Sequence, residues 1–306
     1  MIGRVVEVSS EGCHLGRDRG LMTVSRDGEE IGRVPLDDIA ALVCDARGLT
    51  YSNGLMVELS NRNVPAILCG QNHMPVAWLW PLEGHHVQAM RMRSQLEAPL
   101  PLRKRLWQAV VRAKILQQKN VLELLQVPAD GFDQLARRVR SGDPENVEAQ
   151  AARRYWPLLF GPGFRRGRYE GGPNSLLNYG YTVLRAAVAR AIVSAGLHPS
   201  VGIHHSNRAN AFCLVDDLVE PFRPLIDCRV AQLVSDGRED LTPDEKQVLA
   251  GVLVMDMTTD RGTTPVQTSI ERAAQSLAQA FESGKTDLVF PTRPVMAFMG
   301  NSSSEG

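Results

Sequence analysis

The stretch GIHHSNRANAFCLVDDLVEPFRPLID, residues 202–227, sets His204, His205, Asp216, Asp217 and Glu220 among Phe, Leu and Val. Charged and metal-ligating side chains are costly beside apolar ones unless something pairs them. Asp217 and Glu220 are three residues apart, and Asp216 is four before Glu220, so on a helix the carboxylates lie on or near one face. Pro221 has no N–H for the Asp217 carbonyl, so a helix through this segment kinks or restarts there and leaves a backbone oxygen free. Hard carboxylate oxygens with one imidazole, His205, and no thiolate suit Mg²⁺ or Mn²⁺ better than zinc. Such an ion polarises a phosphoryl oxygen and activates an attacking oxygen. Residue by residue, the same pattern also fits solvated or capping carboxylates and a hydrogen-bonded core histidine.

Glu148, in NVEAQAARRYW, is a second candidate: a carboxylate among alanines rather than on a charged face. An ordinary ion pair within its own helix with Arg153 or Arg154 is the alternative.

The elements that must position these groups divide the chain in two. RVVEVSS, LMTVSRD, EIGRVPL, IAALVCDA, LMVELSNR and VPAILCG are short runs rich in β-branched and apolar residues, punctuated by turn residues, and predict strands. This β-rich region is expected over residues 1–80, with a linker over 81–90. From Val87 onward the periodicity becomes helical. RKRLWQAVVRAKILQQKNVLELL predicts one long helix, and DPENVEAQAARRYWPLLF another, with Asp143 as its N-cap and Pro144 at its first position. NSLLNYGYTVLRAAVARAIVSAG is a third, stopped by Gly196. TPDEKQVLAGVLVMD and SIERAAQSLAQAFESG are further helices. The expected fold is α+β: a small N-terminal β-strand domain, then a large all-α domain over 91–300, with a polar disordered tail over 301–306.

Composition narrows the function. The chain has 306 residues, 43% hydrophobic and 22% charged, which is ordinary for a globular protein. No apolar run reaches membrane-spanning length and the N-terminus lacks a signal pattern, so a cytoplasmic location is expected. The five cysteines are scattered without CxxC spacing, which argues against a disulfide framework or structural zinc. There is no G-x-x-x-x-G-K-[ST], no well-placed G-x-G-x-x-G and no G-x-S-x-G, so nucleotide hydrolysis and serine-hydrolase chemistry lose support. The formal net charge is zero, but it is unevenly spread. Residues 1–85 carry seven Lys/Arg against eleven Asp/Glu, residues 91–170 sixteen against eight, and residues 171–306 eleven against fifteen. A basic block in a neutral chain is a candidate footprint for a polyanion, and solvated helix faces are the alternative.

Three segments bring these features together: NVEAQAARRYWPLLFG, NSLLNYGYTVLRAAVARAIVSAGLHPSVGIHHSNRANAFCLVDDLVEPFRPLID, and SIERAAQSLAQAF. In order and spacing they resemble the CRISPR-associated integrase of spacer acquisition, the endonuclease of the adaptation complex. The likeness covers nearly the whole chain, and the flavour of the motifs is closest to the branch found with type II systems. The sequence departs from related chains at GGPNSLLNYGY, where Pro-Asn stands in place of a frequent acidic residue.

The resemblance implies a β-strand domain through which the chain forms a homodimer and a helical domain carrying the metal site. It implies Glu148, His205 and Glu220 as catalytic metal ligands for Mg²⁺ or Mn²⁺, with Asp217 at a position some members also use. His204 and Asp216 match no ligand position, and Arg223 and Asp227 are expected to brace the site. Tyr179 either lines it or packs within its helix. The implied reaction is attack by the 3′-hydroxyl of a captured double-stranded DNA fragment on a phosphodiester at the edge of CRISPR repeat DNA. Water in place of the hydroxyl gives nuclease activity. A small ferredoxin-like partner dimer is implied, with the type II effector nuclease as a further candidate partner. The basic block then supplies DNA contacts: Arg103, Lys104 and Arg105, with Arg112, Lys114 and Lys119 on the same helix, and Arg165, Arg166 and Arg168 in FRRGRY. A catalytically inactive DNA-binding scaffold is the alternative, and the presence of all three ligands argues against it. An unrelated metallo-phosphohydrolase lacks its His-Asp dipeptide here, and a helical interaction module leaves the carboxylates without a role.

Overall fold

The structure is a computed structural model that describes residues 4–70, 75–79, 87–167, 171–207, 209–259 and 262–294. Its N-terminal part holds two four-stranded sheets. Strands β1 (Arg4–Val8), β5 (Ile39–Cys44), β7 (Ala66–Cys69) and β8 (Pro75–Leu79) form one, in that order, with β8 antiparallel and the rest parallel. Strands β2 (Cys13–Asp18), β3 (Leu21–Arg26) and β4 (Glu29–Pro35) form an antiparallel meander, and β6 (Thr50–Tyr51) joins β2 in parallel. Leu15, Met22 and Leu42 meet in the core between them.

One expected strand is a helix. LMVELSNR lies in α1 (Asn53–Asn61), where the Ser52 hydroxyl accepts from the Leu55 N–H at 3.3 Å. That cap satisfies one of the free donors of the first turn. Leu55, Met56 and Leu59 then fall on one helical face, buried against the sheets.

The helical part begins with α2 (Gln88–Glu97), so the end of the expected linker is already helix, while residues 81–86 lie outside the described residues. Next come α3 (Leu100–Leu124), α4 (Phe132–Arg138) and α5 (Val147–Phe160). Helix α5 starts three residues later than expected. Asn146 is its N-cap, accepting from the Ala149 N–H, and Asp143 accepts instead from the N–H groups of Val147 and Glu148. Then follow α6 (Pro173–Ser194), α7 (Cys213–Val219), α8 (Arg223–Ser235), α9 (Pro243–Ala250) and α10 (Val266–Ser283). Their buried faces share one apolar core.

This part is not all-α. Strands β9 (Asp256–Thr259), β10 (Gly262–Pro265) and β11 (Arg293–Pro294) form a small antiparallel sheet, in the order β10-β9-β11. These strands are too short and polar to show the period-2 alternation that marks a strand in sequence. The expected tail over 301–306 lies outside the described residues.

Helix α6 joins the two parts. Ala186 packs with Ala41, Val43 and Ile67 of the first sheet. The Tyr179 hydroxyl donates to Glu7 on β1 at 2.7 Å, and Lys246 on α9 pairs with the other Glu7 oxygen at 2.7 Å. Tyr179 thus ties the helical part to the sheet and is not among the residues lining the cavity described below.

Candidate metal and phosphate site

The acidic segment breaks where its proline predicts. Helix α7 stops at Val219, a single 3₁₀ turn spans Glu220–Phe222, and α8 restarts at Arg223. The break turns the buried Glu220 side chain toward α3. There the Lys114 Nζ lies 2.5 Å from Glu220 Oε2 and 2.5 Å from Glu148 Oε1, the latter projecting from the first turn of α5. Three helical elements therefore meet on one ammonium. Burial alone would push the Lys114 pKa down, but Glu220 and Glu148 outweigh it and the value is raised. Burial likewise pushes Glu220 up, and Arg223 and Lys114 outweigh that to hold it below the usual range. Arg223 Nη1 reaches the other Glu220 oxygen at 3.1 Å.

His205 is fixed from behind. Its Nδ1 lies 2.6 Å from Asp217 Oδ1, and the ring remains 45% exposed. The Asp217 hydrogen bond raises the His205 pKa, against the lowering effect of burial. With Nδ1 donating to a carboxylate, the lone pair of the neutral ring sits on Nε2. Asp217 is itself fully buried and accepts from the N–H groups of Ile203, His204 and His205 as well. Two donors on each oxygen use the four acceptor positions of a carboxylate. Asp217 is thus a brace for the histidine loop, not a side chain with a free oxygen for an ion. Gly202 permits this closeness: a Cβ there would meet the His205 carbonyl oxygen and stand 2.8 Å from Asp217 Oδ2.

His204 stacks on Trp107 of α3, with ring centroids 4.3 Å apart, and His205 meets the same indole edge-on. Asp216 pairs with Arg185 at 2.8 Å and accepts from Asn210. Both side chains are thus held by neighbouring residues, and Asp216 also lines the cavity described next.

His205, Glu220 and Arg223 open onto a cavity of about 480 Å³. Helix α6 supplies one wall from Asn178, Tyr181, Thr182 and Arg185. Arg166 enters from the loop after α5, held by Asn174 Oδ1 at 2.8 Å, Asn178 Oδ1 at 2.6 Å and the Gly167 carbonyl. Arg166 and Arg223 both lie over the Tyr181 ring, at 5.3 and 5.0 Å from its centroid. The Tyr181 hydroxyl donates to Asp227, whose burial pushes its pKa up to about 7. The lining thus holds three guanidiniums, one histidine and two carboxylates, Asp216 and Glu220, and since Arg185 pairs with Asp216 and Arg223 with Glu220, Arg166 supplies the excess positive charge that favours an anion.

The rest of the basic block divides. Arg103 donates to the carbonyls of Gln95 and Leu96, and Arg112 to that of Val139. Lys119 pairs with Glu123 and Asp133. These three are held by the protein itself. Lys104, Arg105 and Arg165 are exposed, and Arg168 lies outside the described residues.

Among the described residues, no three His, Cys, Asp or Glu side chains close on one point. Even so, the donor set fits a hard divalent cation. Glu148 and Glu220 converge on the Lys114 ammonium, and Glu220 lines the cavity together with His205, whose neutral ring carries its lone pair on Nε2.

Sequence reasoning missed Lys114 as a member of this site and missed the α6 wall. Both left a signal. Lys114 falls in register with the apolar stripe of Trp107, Val110 and Val121, and Asn178, Tyr181, Thr182 and Arg185 follow i, i+3, i+4, i+7 spacing in an otherwise apolar helix.

The helical body thus brings Glu220, His205 and three arginines to one cavity, with Glu148 joined to Glu220 through Lys114. The family described as CRISPR associated protein Cas1 matches residues 6–258, and this chain belongs to that family. The CRISPR-associated endonuclease Cas1 of Neisseria meningitidis serogroup C (strain 8013) is 36% identical over 280 residues, 90% of each chain, consistent with a type II-like branch. A Pyrobaculum aerophilum CRISPR-associated endonuclease Cas1 is 31% identical over 247 residues, 74% of this chain and 81% of its own. Among solved structures, a casposase bound to integration product shares the fold with a TM-score of 0.78 at 20% identity, over 94% of this chain and 93% of its own. A Cas1 protein from Thermotoga maritima does so at 0.76 and 16%, over 93% of this chain and 98% of its own. A Cas6-RT-Cas1–Cas2 complex contains the same fold at 0.73 and 17%, over 94% of this chain and 36% of that longer one. No helix among the described residues is long and apolar enough to cross a membrane.

Proposed function

We propose that this chain is a metal-dependent DNA integrase and endonuclease that inserts captured DNA fragments at the edge of a CRISPR repeat. The observation that carries the reading is the convergence of Glu148 and Glu220 on the Lys114 ammonium, with Glu220 and His205 lining one cavity. Membership of a family whose curated relatives are named endonucleases supports it, and a casposase bound to integration product has the same fold.

In this reading Glu148, Glu220 and the Nε2 of His205 hold Mg²⁺ or Mn²⁺. When bound, the ion supplies Lewis-acid stabilisation of charge on the scissile phosphate. The remaining work falls to the protein. Arg166, Arg185 and Arg223 draw the phosphodiester into the cavity and neutralise its oxygens. Asn174 and Asn178 pre-set the Arg166 guanidinium, so less side-chain freedom is lost on binding. Asp217 keeps His205 in one ring orientation. Lys104, Arg105 and Arg165 meet flanking phosphates from the surface, as Arg168 would. The attacking group is a DNA 3′-hydroxyl, or water in the nuclease reaction. The N-terminal sheets form a homodimer contact, and a small ferredoxin-like partner dimer completes the assembly. The solved complex that carries Cas2 beside a similar fold supports that last point.

The test is strand transfer of a 3′-hydroxyl-ended duplex into repeat DNA, with and without Mn²⁺ or Mg²⁺ and in the presence of the partner. Wild-type protein joins the strands only with the ion, and Glu220→Gln abolishes joining while DNA binding persists. Joining in EDTA, or joining by Glu220→Gln at the wild-type rate, overturns the proposal. DNA binding without joining under every ion condition leaves the scaffold reading in its place.

A further inference from the structure

The lysine at the centre of the site has a chemistry of its own. Lys114 is 12% exposed, and its Nζ lies 2.5 Å from both Glu148 Oε1 and Glu220 Oε2. A lysine that served DNA would direct its ammonium to the surface, as the exposed Lys104 and Arg105 can. Lys114 instead stands in the apolar stripe of α3, between Val110 and Val121, and its ammonium is delivered to two carboxylates from different elements. Without a cation between them, those carboxylates would repel each other in a poorly solvated place. The contact with Glu220 Oε2 is close, yet that oxygen receives no well-aligned hydrogen bond. The ammonium donates to Glu148 at 2.5 Å and lies as close to Glu220, so one compact positive charge serves both carboxylates, the role a metal ion plays.

We propose that Lys114 is the built-in counter-cation of the ion site: its ammonium fills the gap between Glu148 and Glu220 when no divalent ion is bound and leaves that gap when one binds. This rests on the reading of Glu148 and Glu220 as ion ligands. The ammonium keeps the carboxylates together and ionised in the empty protein, so the site is assembled before an ion arrives. It also weakens ion binding, because a divalent cation must displace a positive charge. Lys114 thus sets an ion affinity below what the carboxylates alone would give. A bracing role predicts the reverse, since removing a brace loosens the carboxylates and weakens binding.

The experiment is Mn²⁺ titration by calorimetry on the full chain in the absence of DNA, comparing wild type with Lys114→Met and Lys114→Arg. Lys114→Met keeps most of the stem and removes the charge. Its Mn²⁺ affinity should rise by about 10- to 100-fold, the range over which groups around metal ligands act. Mn²⁺ should also raise its melting temperature more than that of wild type. Lys114→Arg keeps the charge and should bind no more tightly than wild type. Equal or weaker binding by Lys114→Met, with wild type binding normally, overturns the inference and leaves the proposed function standing. Absence of Mn²⁺ binding by both proteins overturns the inference and the ion-site reading together.

A second measurement uses wild type alone and so does not depend on a variant folding. Amine acylation read by mass spectrometry should find Lys114 protected in EDTA and more reactive in saturating Mn²⁺. Unchanged Lys114 labelling while Mn²⁺ binds overturns the displacement.

Discussion

Asp217→Ala removes one side chain and unpairs four donors. The carboxylate is fully buried and accepts from the N–H groups of Ile203, His204 and His205 and from the His205 ring. Hydrogen bonds to charged groups contribute about 1.5–3 kcal/mol each, and a buried donor left unpaired costs about 1–3 kcal/mol. Ile203 is buried, so its N–H bears that cost in full, whereas His204 and His205 are exposed and can turn to water. The expected loss is therefore about 3–5 kcal/mol, well short of four full bonds. Asp217→Asn keeps one carbonyl acceptor and should lose about 1–2 kcal/mol. Urea unfolding followed by circular dichroism measures both. The His205 pKa, raised chiefly by the Asp217 hydrogen bond, should fall in each variant when followed by NMR. A loss under about 1 kcal/mol in Asp217→Ala, with the His205 titration unchanged, would refute the bracing role assigned to Asp217.

Three more outcomes follow from the same geometry. Arg166→Gln and Arg223→Gln should each weaken binding of branched DNA and reduce the slope of log K against log salt by about 1, the effect of one lost phosphate contact; unchanged slopes would remove these arginines from the DNA path. Burial pushes the Asp227 pKa up to about 7, above the ordinary aspartate value of about 4, so the folded state binds the extra proton between these values and stability falls as pH rises through that window, by up to about 4 kcal/mol. Asp227→Asn should flatten that slope in unfolding experiments from pH 4 to 7, and an unaltered slope would assign it to another group. Gly180→Ala would push a Cβ into Ile226 on α8 and should cost about 1–3 kcal/mol by thermal unfolding, whereas no loss would mean that α6 and α8 can move apart freely.

The features of this fold that could be read in the sequence are those carried by long periodic segments. Helices α3, α6 and α10 show their apolar stripes over many turns, and Pro221 announced the break that turns Glu220 inward. Short elements were ambiguous. LMVELSNR alternates well enough to look like a strand, yet Ser52 before it is a helix cap, and Leu55, Met56 and Leu59 fit one helical face. Asp143 and Asn146 are both capping residues before one helix, and only the backbone decides which is the cap. The ion site is made of residues from separate elements, so their meeting is a tertiary fact. Resemblance pointed to Glu148, His205 and Glu220, but Lys114 looked like any other member of a basic block. Its partners are 34 and 106 positions away, and nothing local tells it apart from Lys119, which pairs with Glu123 one turn on.

The most direct measurement of the central claim is anomalous diffraction from crystals of the protein grown with Mn²⁺. The account predicts one strong peak at the edge of the arginine-lined cavity, about 2.1 Å from oxygens of Glu148 and Glu220 and from His205 Nε2, with Asp217 still bonded to His205 Nδ1 and the Lys114 ammonium moved out of the gap. A peak coordinated by Asp217 in place of His205, or no peak at that site with Mn²⁺ bound elsewhere, would contradict it.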